Sequence, residues 1–577
     1  GVSTDPLEWG VPSLSFAGLS GMRDLTPTRR SDTRLGADYT FTRPLQRHTL
    51  RFGGGIRRDI SDGRTVSDAR GAFVFTGFYT SGSAVVPRGS GLDFADFLLG
   101  MAQQASVGYG AGDVELRGTA FNLFAQDDWR ARPNLTFNLG VRYEVQLPFT
   151  EANGHMANLD VTPDFTAAAP VVSGATGPYT GAFPASLVNA DGNNVAPRVG
   201  LAWRVNPRTI VRTGYSINFN NGSYASIARQ LVAQPPFATT NTILGTATAP
   251  LAIDDALTAA VSATTNNYGV DKDYRLGALQ TWNVDVNHNL ARGWQVGGGY
   301  TGTKGDHLDI VRAPNRGPEG LRIPGVQPFL WQTSEGESTL HALTARVRRQ
   351  QARGLAGTAS YTFAKSIDNA SSIGGGGQVV AQNDQDLEAE RGLSSFDRRH
   401  QFESNLSYEL PFGANRRWLH EGGPWAAAFG GWSLSTSFTA QSGTPFTARV
   451  LAAATDVARG TNGTLRADYL GVPIGVDDPT LLHFFNTSAF AVPATGTFGN
   501  AGRNTIIGPA DTQLNASLTR DIRLTGTQFL SLRLEATNLF NSVRFGSIDT
   551  AVNSPTFGQV ISIRPMRALQ FNARFRF

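Results

Sequence analysis

The sequence predicts an all-β fold: a transmembrane antiparallel β-barrel with short periplasmic turns and long extracellular loops. Three observations carry this. Apolar and polar residues alternate with a period of two, in runs of about ten residues, the length a tilted strand needs to cross a bilayer. The connections between those runs alternate short and long, as in outer-membrane barrels. No apolar run of about 18 residues occurs, so no transmembrane helix competes with this reading.

Taken in order, RLGADYTFTR puts Leu35, Ala37, Tyr39 and Phe41 on one face. TLRFGGGIRR sets Leu50, Phe52 and Ile56 against Arg51 and Arg57. LTFNLGVRYEVQ is the cleanest case, with Leu135 to Val145 at odd positions and Thr136, Asn138, Arg142, Glu144 and Gln146 opposite. TWNVDVNHNL and FLSLRLEATNLF repeat the pattern, as does the final LQFNARFRF, which ends on Phe577. About 16 strands are expected on this pattern, near 12–19, 34–43, 48–58, 118–130, 135–147, 196–205, 209–220, 278–290, 294–303, 339–350, 355–365, 397–410, 430–441, 512–522, 527–539 and 566–577. GAFVFTGFYT (71–80) reads as a further strand or a loop hairpin. The stretches 131–134, 206–208, 291–293, 351–354 and 523–526 are expected as short turns. The stretches 148–195, 221–277, 304–338, 366–396, 442–511 and 540–565 are expected as long loops, with 411–429 intermediate. The last strand follows a long loop, so Phe577 is expected at the periplasmic end.

Composition agrees. The chain has 577 residues, 65 Gly and no Cys, which excludes a disulfide scaffold and thiolate metal sites. Mean hydropathy is −0.19, as expected when a lipid face is hidden in alternation. Formal charge is +4. Three of the 50 basic residues are Lys, leaving 47 Arg, a bias read as genome composition. Acidic residues are interspersed, so no nucleic-acid stripe forms. Gly1 opens GVSTDPLEWG without the charged and apolar regions of a signal peptide.

Six stretches in order resemble one family: LFAQDDWRARPNLTFNLGVRYE (123–144), YTGTKGDHL (300–308), ASYTFAKSIDNAS (359–371), SSFDRRHQFESNLSYELPFG (394–413), GWSLSTSFTAQSGTPF (431–446) and LRLEATNLFNSVRFG (532–546). They are similar to the barrels of TonB-dependent outer-membrane receptors, closest to the Oar-like group that carries a carboxypeptidase-regulatory-like domain. The resemblance implies a barrel of 22 strands in a Gram-negative outer membrane, preceded by a signal peptide, a small β-sandwich domain, a TonB box and a plug. None of these is seen before Gly1, so residues 1–577 are expected to be the C-terminal barrel part. It implies as partners outer-membrane lipid, the TonB complex and the barrel-assembly machinery, with Phe577 as the assembly signal. A bulky small molecule, glycan or peptide would be the substrate.

Catalytic signatures are missing. There is no HExxH, Walker loop or CxxC, and GLSG (18–21) lacks nucleophile-elbow spacing. No cofactor, metal or enzymatic activity is expected. The eight His are scattered, and His288 reads as a strand residue. NDQDLEAE (383–390) reads as a solvated acidic loop rather than a Ca²⁺ site, and SSIGGGGQ (371–378) as a flexible loop. Arg142, Glu144, Asp285, Arg346, Arg348, Arg533, Glu535, Arg574 and Arg576 fall on the polar, lumen-facing side, where charges of both signs bias solute passage or form register-holding pairs. Tyr179, Phe219, Tyr224, Phe237 and Tyr268, in or beside the long loops, are candidate substrate contacts. The leading reading is import of a bulky solute. The alternatives are a plugless passive channel and a structural or adhesive envelope protein.

Overall fold

The computed structural model describes residues 9–16, 19–24, 28–65, 70–81, 91–109, 113–245, 251–254, 266–316, 321–371, 381–413, 416–450, 465–494 and 496–577. Its wall is an antiparallel meander of fifteen long strands: β1 (Thr28–Pro44), β2 (His48–Thr65), β3 (Val114–Arg132), β4 (Leu135–Gln146), β5 (Val195–Asn206), β6 (Thr209–Phe219), β7 (Ala278–Asn289), β8 (Trp294–Arg312), β9 (Leu330–Ala352), β10 (Leu355–Asp368), β11 (His400–Glu409), β12 (Trp432–Gln441), β13 (Asp511–Arg523), β14 (Phe529–Thr537) and β15 (Ala568–Arg576). Each pairs with its sequence neighbours. Three short strands complete the eighteen-stranded sheet. Among the described residues, β1 and β15 each pair on one side only.

Register explains why these segments are strands. Residues of the apolar face meet across the ladder: Phe41 faces Phe52, Ile56 faces Phe121, Leu123 faces Tyr143, Tyr215 faces Trp282, Leu343 faces Phe363 and Leu534 faces Phe571. Each such pair contributes about 0.2–1 kcal/mol, and a slip of one residue would lose them all together. Turn chemistry fixes the hairpins. Arg353 and Gly354 both adopt positive φ (54° and 81°), the two-residue turn whose twist matches the strands, between β9 and β10.

The short connections all lie at one end, together with the longer 410–431, and the other long connections lie at the opposite end, which holds packed substructure. A four-stranded sheet unites 13–16, 72–75, 104–109 and 239–244. The segment near 12–19, expected as a wall strand, therefore belongs to this outer sheet. Its alternation is real, but Leu14 packs on Phe73 and Phe75 in a protein core instead of facing lipid. The 71–80 segment contributes to the same sheet through Ala72–Phe75.

The 304–338 loop is also shorter than expected. β8 and β9 continue as a hairpin to Arg312 and from Leu330, leaving 313–329 as the connection. Alternation stops being legible there because the register shifts between Gly305 and Leu308, where His307 takes φ 56°. SSIGGGGQ lies outside the described residues apart from Ser371, and so does Gly18 of GLSG.

Candidate functional site

The wall has two unlike faces. On the outer one, large apolar side chains are solvent-accessible: Tyr39 at 71%, Leu123 at 64% and Phe571 at 66%. An exposed apolar surface of this extent, continuous across fifteen strands, is what lipid covers.

Aromatic side chains gather at both ends of it. At the turn end His48 stacks on Trp129 (5.7 Å) and Trp129 on Phe137 (5.3 Å). There Arg349 lies over Trp294 (4.9 Å) and Arg520 over Trp432 (5.8 Å). At the loop end Tyr300 hydrogen-bonds His341 (2.7 Å) and Tyr361 hydrogen-bonds His400 (2.7 Å). On β9, His341 and Arg349 are eight residues apart. At about 3.4 Å per residue that is ~27 Å along a strand, or roughly 20 Å of depth at a tilt near 40°. Rings at both margins of such a band are the belts of a membrane barrel.

The inner face is polar and charged. Arg346 reaches Asp285 at 2.9 Å across the intervening strand β8. The run Gly297–Gly299 permits it: a Cβ on Gly299 would stand 2.9 Å from the Asp285 carboxylate, so only glycine leaves room for the pair to lie flat. Arg142 pairs with Glu144 and Arg533 with Glu535 along their own strands. Arg57 with Asp59 (2.9 Å) and Arg51 with Asp128 (3.3 Å) continue the pattern. Two open troughs follow this face. One of about 780 Å³ is lined by Arg348, Asn405, Asn515, Arg533, Glu535 and Gln570. Another of about 470 Å³ is lined by Gln126, Asn138, Arg142, Arg198 and Asn283. Arg574 and Arg576 lie on the same side of β15, opposite Ser531 and Phe529 of β14. Phe577 ends the outer stripe, stacked on Phe575 (6.0 Å) and 93% exposed.

Over the loop end sits a cap with its own core. Met156, Leu187, Ile227, Leu231, Tyr224, Tyr268 and Tyr274 pack between loops 147–194 and 220–277. Asn158, fully buried, donates to the Val270 carbonyl and accepts from its N–H (both 2.9 Å). The Tyr268 hydroxyl donates to Gln332 (2.6 Å), and Tyr274 to the Asp309 carboxylate. Burial pushes the Tyr224 hydroxyl up to about 12 and raises Tyr268 and Tyr274 further.

A second seam joins the 369–399 and 442–510 loops by buried charge. Arg503 holds Asp368 and donates to the Glu390 carbonyl (2.7 Å) and Ser371 (2.8 Å). Arg466 holds Glu390 (2.8 Å), and Arg312 holds Asp384 (2.6 Å). Arg316 donates to the carbonyls of Ala381 (2.8 Å) and Gln382 (3.0 Å), and burial lowers it to about 10.

Two expectations change here. NDQDLEAE is solvated only in part: Gln385, Asp386, Glu388 and Ala389 are exposed, but Asp384 and Glu390 are buried and paired with arginine. Tyr224 and Tyr268 are interior residues of the cap, with 1% and 5% exposure, and so offer no surface to a solute. Tyr179 is exposed. Phe219, at the end of β6, and Phe237, stacked on His155 (4.9 Å), are half-buried. The arginine seam escaped sequence reading, although Asp368, Ser371 and Ser394 stand inside the recognised stretches 359–371 and 394–413. Among the described residues no three His, Asp or Glu side chains converge as metal ligands.

A sheet with a lipid-exposed apolar outside, a charged inside, belts at both margins and one-sided long loops is the wall of a transmembrane β-barrel. The chain belongs to the outer membrane beta barrel domain family, whose model matches residues 1–570. Its place is the outer membrane of a Gram-negative bacterium. No curated protein matches it.

Among solved structures, it is similar to the outer membrane transporter YddB from Escherichia coli, with 10% identity and a TM-score of 0.50 over 97% of this chain and 57% of that one. The ferric-catecholate import receptor Fiu from E. coli K12 follows, with 10% identity and a TM-score of 0.45 over 96% and 56%. The siderophore receptor PiuA from Acinetobacter baumannii gives 10% and 0.44 over 95% and 56%. The chain thus spans about half the length of the solved structures it matches.

Proposed function

We propose that this chain is the wall and outer cap of a TonB-dependent receptor of the Oar-like group, which captures a bulky solute at the cell surface and imports it. The observation that supports this best is the cap. A passive pore gains nothing from 442–510 and 369–399 being locked by buried ion pairs, whereas a receptor needs outer loops held in one shape to recognise a ligand. Capture falls to accessible cap residues such as Tyr179, and to the half-buried Phe219 and Phe237. Passage follows the inner face, where Arg142, Glu144, Asp285, Arg346, Arg348, Arg533, Glu535, Arg574 and Arg576 set alternating fields. Phe577 and the last strand serve recognition by the barrel-assembly machinery.

Planar-bilayer recording of the native protein purified from outer membranes tests the reading. A gated receptor gives no steady current until its gate is opened. A large, steady, ungated conductance would reject this proposal in favour of a passive channel.

A further inference from the structure

Six of the seven connections at the turn end are tight, and the seventh is not: 410–431, between β11 and β12. It carries the helix α1 (Pro424–Phe429), and its apolar residues point into open space. Trp425 is 68% exposed, Phe429 52% and Trp418 49%. Trp425 and Phe429, one helical turn apart, stack at 5.9 Å, so the two rings form one blade.

Helix α1 is fastened to the lipid-facing side of the wall. Arg520 shares the outward face of β13 with Leu514 and Leu518, and its guanidinium donates to the Ala428 carbonyl (2.8 Å) and to that of Ala427. The Trp432 indole donates to the same Ala428 carbonyl (3.1 Å). Arginines also stand in the stretch that leads to helix α1. Arg417 lies over Trp418 (5.4 Å), and Arg416, which pairs with Glu409 at 2.6 Å, is next to it.

We propose that 416–431 is a membrane-interface anchor: Trp418, Trp425 and Phe429 enter the headgroup–acyl boundary of the periplasmic leaflet, and Arg417 meets phospholipid phosphate. Two arguments name phospholipid as the occupant. The blade continues the lipid-facing stripe through the Trp432–Arg520 contact, so lipid already reaches its edge. Aromatic rings flanked by arginine match an interface that is apolar on one side and anionic on the other. The anchor would hold the β11–β12–β13 sector at fixed depth.

The test places a photoreactive diazirine amino acid at position 425, and separately at 429, in the native-length protein in outer membranes. Position 434 on the lipid face and position 437 on the inner face serve as references, and heat-modifiable gel mobility confirms that each variant is folded. Irradiation followed by intact-mass measurement is expected to show phospholipid adducts at 425 and 429, as at 434. Water addition alone, as at 437, would overturn the proposal. Cross-links to a protein at both positions would equally overturn it and make the blade a docking site for a periplasmic partner.

Discussion

Arg503→Met is the sharpest perturbation of the cap. The side chain is 5% exposed and ties three segments together: Asp368 at the end of β10, Ser371 beyond it and the Glu390 backbone. Methionine keeps much of the volume and removes every donor. Among the described residues Asp368 then retains only Ser371, whose N–H (3.0 Å) and hydroxyl (2.9 Å) donate to it. Removing one partner of a buried pair costs about 3–5 kcal/mol, most of it the penalty of the stranded charge. If that loss falls on local opening of the seam, amide protection drops by about two to four decades. Hydrogen–deuterium exchange on peptides covering 390–395 and 500–507 reads this directly, since Asn504 also bonds the Leu393 carbonyl (2.6 Å) across the same seam. The double variant Asp368→Asn/Arg503→Met should recover most of the protection, because no charge is left unpaired. Exchange in the single variant within threefold of the parent, or a double variant as open as the single, would refute the claim that charge pairing closes the cap.

Ala345→Arg, on the outer face midway between His341 and Arg349, should destabilise the wall by about 2–4 kcal/mol in urea unfolding from lipid vesicles. Thr344→Arg, one residue away on the inner face, should cost far less. Alkali should loosen the 147–277 part of the cap. Tyr224, Tyr268 and Tyr274 keep their protons in the fold above the ordinary tyrosine value, so their contribution is whole below pH ~10 and is lost as pH rises through about 12 and beyond. Absorbance at 295 nm should show these phenols ionising late and together with loss of protease resistance in the cap. Phe577→Ala should lower the amount of heat-modifiable protein in the outer membrane, and unchanged amounts would remove the residue from assembly.

What was legible in the sequence follows from the range of the forces involved. A wall strand advertises itself in ten consecutive residues, because lipid and water select side chains one by one along it. Leu135 to Val145 needs no knowledge of β3 or β5 to be recognised. The turn after β9 is equally local, since Arg353-Gly354 carries its own backbone preference. The cap is different. Its bonds join residues far apart in the chain: Arg503 to Asp368, Arg466 to Glu390, Asn158 to Val270. In sequence Asp384 and Glu390 are two more acids in a polar run, and only the arginines brought over them make them interior. The same holds for Tyr224 and Tyr268, which read as loop aromatics free to meet a ligand until the fold closes on them.

This difference in range also divides the labour of the molecule. The wall is built from near-identical local rules repeated fifteen times, so most single inner-face changes leave it standing and alter only the charges that line it. The cap is built from a few long-range pairs, each holding several segments at once. Changes at Arg503, Arg466 or Asn158 should therefore act on the shape of the whole outer surface, and changes at the exposed Tyr179 on its own surroundings alone. On the function proposed above, specificity that evolves by altering exposed cap residues keeps the seam intact. Specificity that evolves by altering the seam has to rebuild the loops around a new set of buried partners. An alanine scan of the two classes, scored for surface protease resistance, separates them: seam positions should lose resistance together across 369–399 and 442–510, and exposed positions should not.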